Sequence, residues 1–309
     1  DFMFQFYFIL KNIFFIFLFF FIQGNHLFAD KLLVNCGGDF NTFLRNIGEV
    51  AINQGIDKND VFLVLKNTQR SKKVLSFDRK QSTFRLSFTD FSKKAINSYR
   101  LKNGKKNIKK YRDLFLVAKS KYGIPPEVIT AFWAMETDFG AVQGNFHTIS
   151  ALATLAHDCR RPEMFQQEYI AAIHLFSKGV IDLKTTGAWA GEVGQVQMLP
   201  SDILRFGSDG NKDGIIDLKK SPEDSILTAA ALISELGWKP NQPWIEEVII
   251  NDINFPWQEA GFGRNRTVSL WKKLGIISRN KKFMASDKTI ATLLLPQGLK
   301  GPKFLAYPN

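Results

Sequence analysis

The chain has 309 residues, 45% of them hydrophobic and 23% charged, so it can bury a sizeable core without staples. Its 22 glycines and 11 prolines are ordinary counts, which excludes a fibrous or low-complexity protein. The formal net charge of +12 favours anionic partners (nucleic acid, acidic lipid headgroups or an acidic polymer) without choosing among them.

Phe2 to Ile22 is almost wholly apolar, broken by Gln5, Lys11 and Asn12. Ile13 to Ile22 has the length of a signal-peptide core, and Leu27-Phe28-Ala29 precedes a cut after Ala29. Uncut, the same stretch would serve as an N-terminal anchor, since ~20 apolar residues span a bilayer. Residues 1–29 are therefore expected to be a signal peptide or an anchor, and residues 30–309 an exported domain. Cys36 and Cys159 are the only cysteines. In an oxidising compartment two thiols usually pair, and a disulfide is favoured over two buried free thiols.

Beyond Asp39, the spacing of Phe40, Phe43, Leu44, Ile47 and Val50 predicts an amphipathic helix. Asp60 reads as the N-cap of a helix over Val61 to Asn67. Residues 68–92 are polar with scattered aromatics and read as extended or loop structure. The basic runs at Lys93-Lys94, Lys102 to Lys110 and Lys281-Lys282 read as solvated loops. Further helices are predicted over Tyr111 to Tyr122, stopped by Gly123, and after Pro125-Pro126. Others cover roughly Ile149 to His157, Pro162 to Lys178 and Asp224 to Leu236. Strand patterning is scarce, so the fold class is mainly α with few short strands.

Glu136 follows Phe132, Trp133 and Met135, the helical neighbours that would strip water from its carboxyl. Desolvation disfavours the charged form, which is what a general acid near neutral pH requires. Asp138 is two residues on, ~200° round the helix axis, and faces elsewhere. No second carboxylate is placed to complete the usual glycosidase pair. From Gly187 to Ser201 the chain is rich in glycine and amide. Gln195 and Gln197 suit sugar hydroxyls and N-acetyl groups, and Trp189 offers a stacking face. Arg160-Arg161 would suit substrate carboxylates, although paired surface charges are the commoner case. Asp209, Asn211, Asp213 and Asp217 have the shape of a calcium loop, with Lys220 where its bidentate glutamate belongs. None of the four histidines has zinc-type spacing.

These segments together resemble the lytic murein transglycosylase B family, glycoside hydrolase family 103. The matching text runs from Tyr122-Gly123-Ile124-Pro125-Pro126 through Trp133-Ala134-Met135-Glu136-Thr137-Asp138-Phe139-Gly140. It continues with Gly144-Asn145-Phe146, Cys159-Arg160-Arg161, Trp189-Ala190-Gly191, Gln195, Gln197 and Leu199-Pro200-Ser201, and ends near Leu293-Leu294-Leu295-Pro296. The resemblance implies a lysozyme-like domain in the periplasm that cuts the β-1,4 bond between N-acetylmuramic acid and N-acetylglucosamine. It implies that Glu136 first protonates the leaving oxygen and then acts as base toward the muramoyl O6 hydroxyl, leaving a 1,6-anhydro ring. Gln197 matches a substrate-contacting glutamine, Arg160 and Arg161 match substrate-side arginines, and Asn145 lies in a matching segment. Ala188 departs from the usual serine, and Glu192 and Val193 from the common alanine and methionine. Relatives continue beyond Tyr307-Pro308-Asn309, so the domain is expected to lack a C-terminal part.

The expected partner is peptidoglycan. Nucleic acid is not expected, because no nucleic-acid-reading module is recognised. A membrane contact would run only through the N-terminal segment. The protein is expected to be a monomer with no required cofactor and a possible structural calcium. The competing reading is a peptidoglycan-binding protein that has lost activity.

Overall fold

The computed structural model describes residues 32–80 and 86–309. The segment expected as leader or anchor lies outside them. The described residues form two compact units: residues up to 80 with Tyr99–Leu236, and those from 86 to Ser98 with Gly237–Asn309.

The first unit is helical. Helices α1 (Phe40–Asn53) and α2 (Lys58–Asn67) are followed by α3 (Lys72–Arg79), α5 (Ser98–Lys110), α6 (Arg112–Tyr122) and α7 (Pro126–Thr137). Then come α8 (Thr148–His157), α9 (Pro162–Ser177), α10 (Pro200–Phe206) and α11 (Pro222–Glu235). All ten residues of α8 are buried. A helix apolar or small on every side belongs at the centre of a core, and α8 packs there along α9. Leu152 and Leu155 are fully enclosed, each contributing about 2 kcal/mol over exposure. His157 closes this helix between the rings of Phe40 and Phe43, both 5.2 Å away. Cys36 and Cys159 form a disulfide, with their Cα atoms 5.4 Å apart.

Three expectations change here. Asp57, not Asp60, caps α2, accepting from the amides of Asn59 and Asp60. Residues 68–92 are not simply extended: Ser71 caps α3, and Ser87 caps α4 (Phe88–Ala95) of the second unit. Lys102 to Lys110 lies on α5 and Lys93-Lys94 in the last turn of α4; these lysines are solvated, but on helices.

The second unit is built on an antiparallel sheet. Its strands are β3 (Ile245–Ile250), β4 (Asn265–Thr267), β5 (Ile276–Ser278), β6 (Ile290–Leu294) and β7 (Lys303–Ala306), in the order β4-β6-β7-β3-β5. Helix α12 (Val268–Lys273) drives Trp271 into the core, where its Nε1 donates to the Ala291 carbonyl at 3.0 Å. Alternation places Ala291 and Leu293 inward from β6. The carboxylate of Glu246, 4% exposed, accepts from Ser278 and Tyr307 inside this unit. Its burial and that neighbouring carboxylate both push the Tyr307 phenol far above its ordinary value. Among the described residues, no helix is long and apolar enough to cross a membrane.

Candidate active site

Pro125 and Pro126 start α7, and its buried face carries Ile129, Phe132, Trp133 and Glu136. The helix stops because Asp138, Phe139 and Gly140 all take left-handed backbone, with φ of 50°, 62° and 88°. Two successive non-glycine residues in that region are costly, and such strain gathers at functional sites. Glu136 sits just before this break and is 6% exposed. Asp138 is turned to Arg100, whose Nε donates to its carboxylate at 2.5 Å, as its sequence offset from Glu136 requires.

A lattice of buried hydrogen bonds joins this helix end to the amide-rich segment. The segment folds as a tight turn in which Val193 and Met198 exchange backbone hydrogen bonds of 2.8 and 3.0 Å. The Thr137 hydroxyl donates to the Gln195 carbonyl at 2.5 Å and accepts from the Gly140 amide at 2.8 Å. Trp133 Nε1 donates to Gln195 Oε1 at 3.1 Å. A side chain on Gly140 would place its Cβ 2.7 Å from that same oxygen. At Gly194 a Cβ would meet the Leu218 carbonyl at 2.6 Å, which fixes glycine there. Gln197 stands at φ 51°, and its amide nitrogen donates to the carbonyls of Gly194 and Gln143. Lys219 closes the far side: its carbonyl accepts from Gln143, while its half-buried ammonium holds Thr186. Burial lowers the pKa of that ammonium.

Thr137 is therefore the joint of the lattice. Thr137→Val is expected to leave two buried groups without partners and to cost about 2–3 kcal/mol, read as a lower denaturation midpoint. Thr137→Ser keeps the hydroxyl and is expected to stay within about 1 kcal/mol of the parent.

The structure revises several site residues. Gln195 is not available to a sugar as expected; its carbonyl oxygen holds Trp133 and its backbone holds Thr137. Trp189 is 6% exposed, so its ring is core and offers no open stacking face. Asn145 is exposed, next to the two-stranded pairing of β1 (Phe146–His147) with β2 (Thr186–Gly187). Arg160 and Arg161 are not free surface charges. Asp78, 1% exposed at the end of α3, accepts from both, at 2.8 and 2.6 Å. Burial alone would raise the Asp78 carboxyl, but the two guanidiniums outweigh it and hold the group below the usual carboxylate range. Arg79 and Asp158 extend the cluster, so three cations face two carboxylates and a positive balance remains. The sequence assigns no role to Thr137, Gln143 or Asp78. A buried hydroxyl or amide has no periodic signature, although Ser71 as a helix cap would have exposed α3 and with it Asp78.

The carboxylates of the acidic loop are turned onto its own backbone amides. Asp209 accepts from the amides of Asp213 and Gly214, Asp213 from Ile215, and Asp217 from Lys219 and Lys220. Lys220 brings its ammonium to 3.9 Å from Asp217, where a closing carboxylate would be needed. Among the described residues no group of three or more His, Cys, Asp or Glu side chains could hold a metal. The loop is ordered from within by Asp224, fully buried, which accepts from Gly210 and Asp217. Melting temperatures with EGTA and with millimolar calcium are expected to agree within about 1 °C; a calcium-linked rise of several degrees would contradict this.

Residues 39–309 match the family described as the transglycosylase SLT domain. Over 221 residues the chain is 29% identical to the membrane-bound lytic murein transglycosylase B of Escherichia coli K12, covering 67% of this chain. It spans 61% of that relative's length. Among solved structures, SltB3 of Pseudomonas aeruginosa in complex with NAG-NAM-pentapeptide is similar with a TM-score of 0.81 and 27% identity, covering 88% of this chain and 73% of that one. The Escherichia coli lytic transglycosylase Slt35 in complex with bulgecin A is similar with a TM-score of 0.74 and 25% identity, covering 89% and 88%.

Proposed function

Because the chain belongs to the transglycosylase SLT domain family, we propose that it is a peptidoglycan lytic transglycosylase acting on the β-1,4 bond between N-acetylmuramic acid and N-acetylglucosamine. The observation that carries this reading is the buried carboxyl of Glu136, at a strained helix end beside the Gln197 turn, with the adjacent acid Asp138 committed to Arg100. Glu136 gives its proton to the glycosidic oxygen as the C1–O bond breaks. The muramoyl O6 hydroxyl then closes on C1 and returns its proton to Glu136. The products are a free N-acetylglucosamine hydroxyl and a 1,6-anhydromuramoyl end, and no water is consumed. Because the nucleophile belongs to the substrate, one enzymatic carboxyl suffices.

Gln197, buried with its amide nitrogen bound to the carbonyls of Gly194 and Gln143, is assigned to the sugar only because it matches a substrate-contacting glutamine of the resembled family. The positive Arg160–Arg161 cluster suits the carboxylates of the lactyl group and stem peptide. The complex of SltB3 with a NAG-NAM-pentapeptide supports this substrate class. The disulfide between Cys36 and Cys159 supports an oxidising, cell-wall-facing compartment, the periplasm. The proposed reaction requires no cofactor, and the protein is taken to act as a monomer. The test is digestion of purified sacculi with mass analysis of the released muropeptides. Anhydro ends are the expected result. Hydrated reducing ends would mean a hydrolase, and binding without release would mean a peptidoglycan-binding protein.

A further inference from the structure

Helix α5 contains no aspartate or glutamate. Its inward side carries Arg100 and Gly104, both buried. Arg100 is paired with Asp138, and a Cβ on Gly104 would stand 3.2 Å from the Thr130 side chain, so α5 lies close on α7. The outward side belongs to Lys102, Lys105, Lys106, Lys109 and Lys110, all exposed. They recur at the three- and four-residue spacing that lines up one side of a helix, in a stripe about 12 Å long. Exposed Tyr99 and Leu101 flank it.

Helix stability does not call for this arrangement. Lys109 and Lys110 suit the negative end of the helix dipole, but Lys102, Lys105 and Lys106 stand too far from it to gain. Like charges at i and i+4 oppose the helix, and here Lys102 faces Lys106, Lys105 faces Lys109 and Lys106 faces Lys110. None of the five forms an ion pair with another described residue. Lys110 alone is engaged, donating to the Tyr111 hydroxyl and feeling the charge of Glu223. Arg160 and Arg161 are different in kind. Asp78 holds their planar guanidiniums in place, which suits discrete carboxylates met one at a time. The α5 stripe is lysine only: compact charges on flexible stems over a rigid base, which suits a spread field of negative charge.

We propose that the lysine face of α5 is a docking surface for an anionic lipid membrane, with phosphate headgroups as its partners. Each lysine gains from the field near such a surface, and Tyr99 and Leu101 meet the headgroup level beside them. Because α5 is fastened to α7 through Gly104 and Arg100, docking sets the orientation of α7 and of its Glu136 end. The contact is separate from any made by residues 1–29, and it does not depend on the catalytic reading.

The test compares binding of the full chain to phosphatidylcholine vesicles with and without about 30% phosphatidylglycerol. The ratio of the two affinities cancels any grip by the N-terminal segment. The parent is expected to prefer the anionic vesicles by about 10³-fold at low salt. Lys105→Gln with Lys106→Gln and Lys109→Gln is expected to lower that preference about 100-fold, roughly fivefold per lysine. Glutamine is a good helix former, and three repulsive pairs are relieved, so the melting temperature is not expected to fall. Should it fall, Lys105→Gln alone carries the fivefold expectation. Lys281→Gln with Lys282→Gln and Lys288→Gln removes the same charge from another surface and is expected to change the preference by less than about threefold. A parent without anionic preference, or an equal loss in both triple variants, would overturn the proposal. Lipid-free sacculi, probed on a Glu136→Gln background, separate the wall polymer from lipid. Sacculus binding is expected to change by less than about threefold in the α5 variant; a loss there as large as that for vesicles would overturn the lipid assignment.

Discussion

Glu136→Gln is expected to abolish release of muropeptides from sacculi, lowering the rate by about 10³-fold or more, while the melting temperature stays within about 2 °C of the parent. The amide has the shape of the carboxyl, so the packing at the end of α7 survives, but it has no proton to give the leaving oxygen. Asp138→Asn is the control. It weakens the ion pair to Arg100, a buried guanidinium 7% exposed, and disturbs the left-handed break that aims Glu136. A partial loss of about tenfold is expected there, with reduced stability. If Glu136→Gln keeps more than a tenth of parental activity, or if Asp138→Asn is the more damaging change, the acid has been assigned to the wrong residue.

Removal of the disulfide is expected to have the largest effect on stability. Cys36 and Cys159 are 123 residues apart, and closing a loop of that size restricts the unfolded chain by about 4–5 kcal/mol. Cys36→Ser with Cys159→Ser, or full reduction, should therefore lower the melting temperature by about 10 °C. The segment it fastens has few other ties: Leu33 and Val34 donate to Gln166 Oε1, and Gly37 to the His157 carbonyl. Unchanged melting after thiol titration has shown both cysteines free would refute the estimate. Because Arg160 and Arg161 follow Cys159 directly, the reduced protein is also expected to bind sacculi more weakly at temperatures where it remains folded.

Much of the helical unit was legible because its signals are local. Pro125-Pro126, Gly123 and the apolar spacing of α1 and α9 each depend on a few neighbouring residues. Residues 68–92 misled because α3 and α4 have eight residues each, little more than two turns, and are announced mainly by Ser71 and Ser87 as caps. The sheet escaped notice because strands of three to six residues carry little periodicity of their own. At the site, motif and chemistry pointed to Glu136 and Gln197 as candidates, and the fold brings them to the end of α7 and the adjoining turn. That Gln195 and Trp189 face inward was not legible, since the sequence does not say which amide meets protein and which meets solvent. Nor does it show that Arg160 and Arg161 answer to Asp78, some 80 residues earlier, because ion pairs across that separation leave no mark in spacing.

The strand order of the second unit has a bearing on timing. β4 hangs on β6, β5 hangs on β3, and β3 and β6 never touch; β7 alone lies between them. A chain emerging in sequence order thus carries two half-sheets with no common partner until residues 303–306 arrive. Contacts of long sequence separation form slowly, and here the clasp is made after every strand it joins. The helical unit has all its described residues by position 236, whereas the sheet must wait some seventy residues more. During that interval the open edges of β3 and β6 stand ready to pair with another chain, so the newly made sheet is most exposed to aggregation before β7 is in place.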